Sequence, residues 1–109
     1  QPEDTGWAAI ARLYAELAAL APSPVVELNR AVAVGMADGP AAGLAIADDL
    51  AVSGQLAGYH LLPAVRADLL RRLDRPAEAA QAYRAAIDQA GTEPERHYLE
   101  RRLAEIAGP

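Results

Sequence analysis

The side chains able to do chemistry are few and scattered. The two histidines, His60 and His97, lie far apart in sequence and form neither a His-x-x-His nor a His-Glu-x-x-His pattern, the helical spacings that bring two imidazoles to one metal. There is no cysteine, which removes disulfides, zinc–thiolate sites and thiolate nucleophiles. Ser23 and Ser53 both sit at turn signals rather than in a strand-to-helix elbow, and Ser23 reads as a helix cap. A hydrolase would have to draw on Asp48, Asp49, Asp68 or Glu78. Asp48 and Asp49 are adjacent, and neighbours on a helix point in different directions, which is wrong for two carboxylates flanking one bond. Gly35, Gly39 and Gly43 are helix and turn glycines, not a phosphate-cradling loop. The expectation is a chain with no catalytic residue, no metal ligand and no cofactor site, and hence not an enzyme.

Polar residues beside apolar stripes are more informative. In the stretch around Leu62, Val65, Leu69 and Leu73, Arg66 stands next to the stripe rather than opposite it, and Arg30 has the equivalent place beside Val26, Ala33 and Ala37. A partly buried guanidinium needs several acceptors. Helix-end carbonyls, Glu27 and Asp68 are the available ones. Arg30 and Arg66, with Asn29 travelling beside Arg30, are therefore either clamps between helices or residues of a groove that grips a partner. His60 falls at a helix start and is expected to cap or pack. His97, between Arg96 and Tyr98, is expected on an exposed surface.

The elements that must position these residues are helical. Alanine is the commonest residue, phenylalanine is absent, and 52% of the chain is hydrophobic. Alanine is the best helix former and permits close helix–helix approach. The punctuation marks six helices. Asp4 or Thr5 caps the first, which runs to about Ala21 and stops at Pro22. Ser23 and Pro24 open the second, which closes at Asp38-Gly39. Pro40 opens a third that fades at "VSGQ". The fourth runs from about Tyr59 to Leu73, with Pro63 in its first turn. Pro76 opens the fifth, ending at Gly91. Thr92 and Glu95 form a capping box for the sixth, which has Pro94 in its first turn and ends at Gly108-Pro109. Its stripe of Tyr98, Leu99, Leu103, Ile106 and Ala107 backs onto a charged face, over whose edge Arg101 and Arg102 snorkel. No apolar run approaches the length of a membrane span.

A repeat underlies these helices. "ADGPAAG" at 37–43 precedes "LDRPAEA" at 73–79 by a step of 36 residues, and the same step carries Arg30 to Arg66, Ala31 to Ala67, Val34 to Leu70, Ala47 to Tyr83 and Leu50 to Ala86. Helix–turn–helix units at this period build solenoids. Ala79, Tyr83 and Ala86 share a helix face, small residues admitting the neighbour and the ring filling the space between hairpins. This Ala-x3-Tyr-x2-Ala pattern resembles the second helix of a tetratricopeptide repeat. Ala67 and Leu70 fall on the small and aromatic places of the preceding helix. In the first helix, Tyr14, Leu17 and Pro22 fit the aromatic, small-or-apolar and closing-proline places, with Ile10 in place of the small residue. The fold expected is a single all-α domain over 1–109, a six-helix, tetratricopeptide-like, right-handed solenoid of antiparallel hairpins.

Five segments together, "LNRAVAV" (28–34), "GYHLL" (58–62), "RADLLRRL" (66–73), "EAAQAYRAAI" (78–87) and "EPERHYLERRL" (93–103), resemble the C-terminal extension of a bacterial group of RNA polymerase sigma factors, the extracytoplasmic-function class of the sigma-70 family. The resemblance runs from Trp7 to Leu103. Asp74 departs from it, standing where that family's turn commonly has glycine, and Gly35-Met36 matches loosely. The resemblance implies a fragment of a longer chain whose promoter- and polymerase-binding core domains are absent here. It implies a cytoplasmic, non-catalytic regulatory domain in transcription initiation. The partners implied are the factor's own core domains in cis, RNA polymerase or a regulator protein. The opening "QPEDTGW", with no initiator Met and no basic signal-peptide head, fits a fragment.

Charge bears on partners too. The formal net charge is −5, and all of it lies before Gly58: up to Ala57, Arg12 and Arg30 face seven acids, while from Gly58 onward eight arginines balance eight acids. An acidic first half argues against backbone-reading contact with nucleic acid and favours a basic or amphipathic protein segment. Two other readings remain open, a stand-alone helical-repeat adaptor with no transcription role and a small-ligand sensor with a closed polar pocket.

Overall fold

The computed structural model describes residues 2–107, with side chains from Gly6 onward. The expected caps Asp4 and Thr5 therefore lie outside the described side chains, and the expected stop at Gly108-Pro109 lies outside the described residues. Six α-helices follow in order: α1 (Pro2–Leu20), α2 (Pro24–Asp38), α3 (Pro40–Ser53), α4 (Leu61–Arg72), α5 (Pro76–Gln89) and α6 (Glu93–Ala107). Among the described residues all regular structure is helical. The first helix begins at Pro2, ahead of its expected start, and the fourth begins at Leu61 rather than Tyr59.

Local chemistry accounts for the ends. Ser23 is extended and its Oγ accepts from the Val26 amide at 3.5 Å, with Pro24 at the first helical position. At α6, Thr92 Oγ1 accepts from the Glu95 amide at 3.3 Å and its hydroxyl reaches Glu95 Oε1 at 2.8 Å. Gly54 closes α3 in the left-handed conformation. The end of α4 is a Schellman turn: the Arg75 amide donates to the Leu70 carbonyl and the Asp74 amide to that of Arg71, both at 3.0 Å. Such a turn needs a left-handed residue, and Asp74 supplies it with φ 57°. That is the physical reason a glycine would suit this position.

The helices gather into two compact units, Gln1–Ala57 and Gly58–Pro109, divided where the charge balance changes. In the first, α2 packs against both α1 and α3. Its buried residues are mostly small or aliphatic: Leu28, Ala31, Ala33, Leu44, Ala47 and Leu50. Helices α2 and α3 approach so closely that a Cβ on Gly43 would stand 2.6 Å from the Ala31 carbonyl oxygen and 2.9 Å from Gly35 Cα. In the second unit, α5 packs against both α4 and α6. Ala67, Ala79, Tyr83 and Ala86 are each 0% exposed, and Leu70 and Leu99 join them in the core. The expected stripe of α4 is divided: Leu62 and Leu69 are buried while Val65 and Leu73 are half-covered.

Candidate protein-interaction site

In the second unit the polar residues singled out in the sequence are drawn into the packing. Tyr83 lies in the centre of α5 with its ring fully buried, and its hydroxyl must find partners there. It donates to Asp68 Oδ1 at 2.5 Å and accepts from Arg71 Nε at 3.2 Å. Asp68 and Arg71 are one turn apart on α4, with Arg71 Nη2 3.8 Å from Asp68 Oδ1. Burial pushes the Tyr83 phenol up to about 12; the bond to Asp68 adds to the rise, and Arg71 opposes it. Asp68 thus serves as the phenol's acceptor. Arg66 is half-buried on the same helix, and its charge, after the dominant bidentate pairing with Arg75, helps hold the Glu78 carboxyl below its usual range.

His60 does not cap α4: it makes no side-chain cap hydrogen bond. Its ring turns instead toward α6, where Nε2 meets the Glu95 carboxylate. The nitrogen is buried and makes no regular hydrogen bond. The imidazole therefore packs against α6 beside this carboxylate. Glu95 divides its two oxygens between this contact and the Thr92 cap. The pair lines a crevice of about 200 Å³ together with Ala64, Val65 and Asp68 of α4 and Tyr98 and Leu99 of α6. At its rim Leu61 and Tyr98 are partly exposed. The Arg102 guanidinium sits 5.4 Å from the centre of the Tyr98 ring and donates to its hydroxyl at 3.3 Å. Arg101 beside it is exposed, as is His97, which lies 3.6 Å from Glu93.

In the first unit Arg30 is held within its own helix. Nε and Nη2 meet the two oxygens of Glu27 at 2.8 and 3.2 Å, and this bonding raises the guanidinium above its ordinary value. The pair borders a shallow groove of about 220 Å³ with Ile46, Asp49 and Leu50 on its other side. Asn29 is exposed, and Ser53 Oγ donates to the Leu50 carbonyl at 2.7 Å, so this serine closes a helix. Tyr14 is half-buried on α1, whereas Leu17 is 43% exposed.

The arrangement thus brings Asp68 and Tyr83 together and places His60 at the α4–α6 crevice, while Asn29 and Arg30 stand in the other unit. Arg71, Glu95 and Tyr98 take part without having been singled out as partners. For Arg71 and Glu95 the signal was spacing: Arg71 is one turn beyond Asp68, and Glu95 is the third residue after the Thr92 cap. The close approach at Gly43 was also present as Ala31-x3-Gly35 and Gly43-x3-Ala47, two small-residue pairs at one-turn spacing. Among the described residues no group of three His, Asp or Glu side chains is placed to hold a metal. No described helix is long and apolar enough to cross a membrane.

No protein-family model matches the chain, and no solved structure matches it. It is similar to an uncharacterized protein of Rhizobium meliloti (strain 1021), with 42% identity over 107 residues. That match takes in 98% of this chain and 25% of the relative, so the chain spans about a quarter of the length of the curated relative it matches.

Proposed function

We propose that the chain is a non-catalytic helical-repeat module that holds on to another protein, its hairpins stacked in the right-handed tetratricopeptide-like manner. The observation that carries this reading is the complete burial of the small–aromatic–small set Ala79, Tyr83 and Ala86 between helices, beside a crevice lined mostly by apolar side chains, with Leu61 and Tyr98 among them partly exposed. Polar side chains that could have served a reaction are engaged in joining helices or ending them: Asp68 with Tyr83 and Glu95 with His60 between helices, Glu95 with Thr92 and Ser53 with a carbonyl at helix ends. A crevice of this shape suits an apolar side chain from a partner's helix or extended segment.

The setting we favour is the one the sequence resemblance implies, the C-terminal extension of an extracytoplasmic-function sigma factor. The module would then act in the cytoplasm on transcription initiation, through the factor's core domains, RNA polymerase or a regulator, without touching DNA itself. A match confined to a quarter of a longer relative is compatible with a module joined to other domains. The acidic first unit favours a basic partner surface. Titration calorimetry of this chain into the core domains of such a factor, expressed without their extension, tests the setting. A saturable heat that weakens with salt is expected; no heat over a range of temperature and salt leaves the stand-alone adaptor with no transcription role. The small-ligand sensor called for a closed polar pocket, whereas the α4–α6 crevice is lined mostly by apolar side chains; a thermal-shift screen with apolar fragments, read as a rise in melting temperature lost in Val65→Asp, tests that reading.

A further inference from the structure

Helix α1 carries a second apolar face that nothing in its unit covers. Ile10, Leu13, Leu17 and Leu20 recur at steps of three, four and three, which places them on one side of a helix. They are 37%, 63%, 43% and 84% exposed. Trp7, Ala11, Tyr14 and Ala18, by contrast, form a stripe at the same spacing whose members are half-covered in a helix that packs on α2. Four large aliphatic side chains aligned in water mark a contact surface rather than scattered exposure.

The second unit indicates what covers it. Ile10-x3-Tyr14-x2-Leu17 has the spacing of Ala79-x3-Tyr83-x2-Ala86, and Ser23 follows Tyr14 by the same nine residues that separate Thr92 from Tyr83. So α1 and α2 repeat the pattern of α5 and α6. Helix α5, however, has a further neighbour: α4 precedes it, packs against it and supplies Asp68 to the Tyr83 hydroxyl. Helix α1 has the face without the neighbour. We infer that in the full-length protein this face is covered by a helix immediately preceding α1, placed as α4 is placed on α5. Ile10 and Leu17 stand where α5 has alanines, so that helix must carry small residues opposite them to conserve volume. A carboxylate at its Asp68-like position would receive the Tyr14 hydroxyl. The inference rests on the reading of this chain as a module of a longer protein, whose relative extends well beyond the matched stretch.

The test is a chain in which residues 58–75 are copied in front of Trp7 in place of residues 1–6, with Arg71→Ala in the copy alone. In the repeat register Arg71 holds the place of Gly35, which faces Gly43, the counterpart of Ile10, so the substitution makes room for the larger side chain. The expected result is a monomer whose copied segment and α1 are both protected from hydrogen exchange, with a melting temperature higher by roughly 5 °C or more. An unprotected added segment with unchanged melting overturns the inference. So does an unextended 109-residue chain that sediments as a dimer with α1 protected, because a second copy would then be the cover. A companion variant, Leu13→Gln with Leu17→Gln in the unextended chain, is expected to melt within about 2 °C of the parent, as exposed sites do. A large fall would show these leucines to be core of the chain itself. Failure of the calorimetric test with the core domains would leave all these outcomes unaffected.

Discussion

Where α2 meets α3, the contact is made by Gly43 lying on Ala31 and Gly35. Thirty-six residues on, where α4 meets α5, the same places hold Ala79, Ala67 and Arg71, and Ala47 has become Tyr83. The first hairpin removes side chains until backbone touches backbone. The second admits a phenol ring and must then satisfy its hydroxyl, which brings in Asp68 and Arg71, standing at the places of Val32 and Gly35. One repeat register therefore supports two kinds of contact, an apolar one tuned by volume and one with a polar network set inside it. The turns differ in the same spirit. The first hairpin turns on Gly39 with φ 104°, while the second forces Asp74 into the left-handed region.

The two hairpins differ most at Tyr83, which stands where the first has Ala47. Tyr83→Ala empties the second hairpin and is expected to cost about 3–5 kcal/mol by urea unfolding, as large-to-small core changes do. A cost below about 1 kcal/mol would mean that the ring does not hold the hairpin open. Next in size is Gly43→Ala. Its Cβ would meet backbone atoms, which cannot rotate away, so α2 and α3 must part, at about 2–3 kcal/mol. The equivalent change in the second hairpin is already present as Ala79, so Ala79→Gly should cost only about 1 kcal/mol, mostly in helix propensity.

Tyr83→Phe separates the polar network from the ring volume and is expected to cost about 1–2 kcal/mol, since Asp68 loses its buried donor. The same phenol gives a pH signature. Its folded value is raised from about 10 to about 12, so the protonated form is favoured by folding. That contribution is fully present below pH 10 and is lost as pH climbs through 12; a two-unit shift is worth at most about 2–3 kcal/mol. Unfolding measured between pH 9 and 12 should fall more steeply for the parent than for Tyr83→Phe, and parallel curves would contradict the placement of this hydroxyl. The smallest effect is at the turn: Asp74→Gly is expected to stabilise by about 0.5–1 kcal/mol by relieving the left-handed conformation. A loss would mean that the Asp74 side chain contributes more than its backbone costs.

Much of the fold was legible in advance because its signals are local. Ser23 with Pro24, Pro40, Pro76 and Thr92 with Glu95 each act within a turn of helix, and all mark helix starts in the structure. The buried face of α5 was legible for the same reason, since Ala79, Tyr83 and Ala86 share a side by spacing alone. His60 shows the limit. Its position beside a helix start suggested a cap or a packing role; it does not cap, and its ring packs beside Glu95, thirty-five residues away. That choice depends on where α6 lies, which no spacing near His60 encodes. Arg30 is a milder case: helix-end carbonyls, Glu27 and Asp68 were the acceptors in view, and Glu27 on its own helix prevailed because an i, i+3 pair needs no tertiary contact.

Helix number, the helix starts at Pro24, Pro40, Pro76 and Glu93, the 36-residue register, the lack of thiol chemistry and the charge division at Gly58 belong to the amino-acid sequence alone, because each follows from residue type or from neighbours along the chain. Tertiary structure alone decided that Gly43 is a point of backbone contact, that Asp68 and Arg71 serve Tyr83, that Glu95 is shared by a cap and His60, and that the leucines of α1 face water. The physical reason is range: a cap or a stripe is settled by torsions and periodicity over a few residues, whereas a hydrogen-bond partner or an uncovered face depends on which helices pack together and how closely.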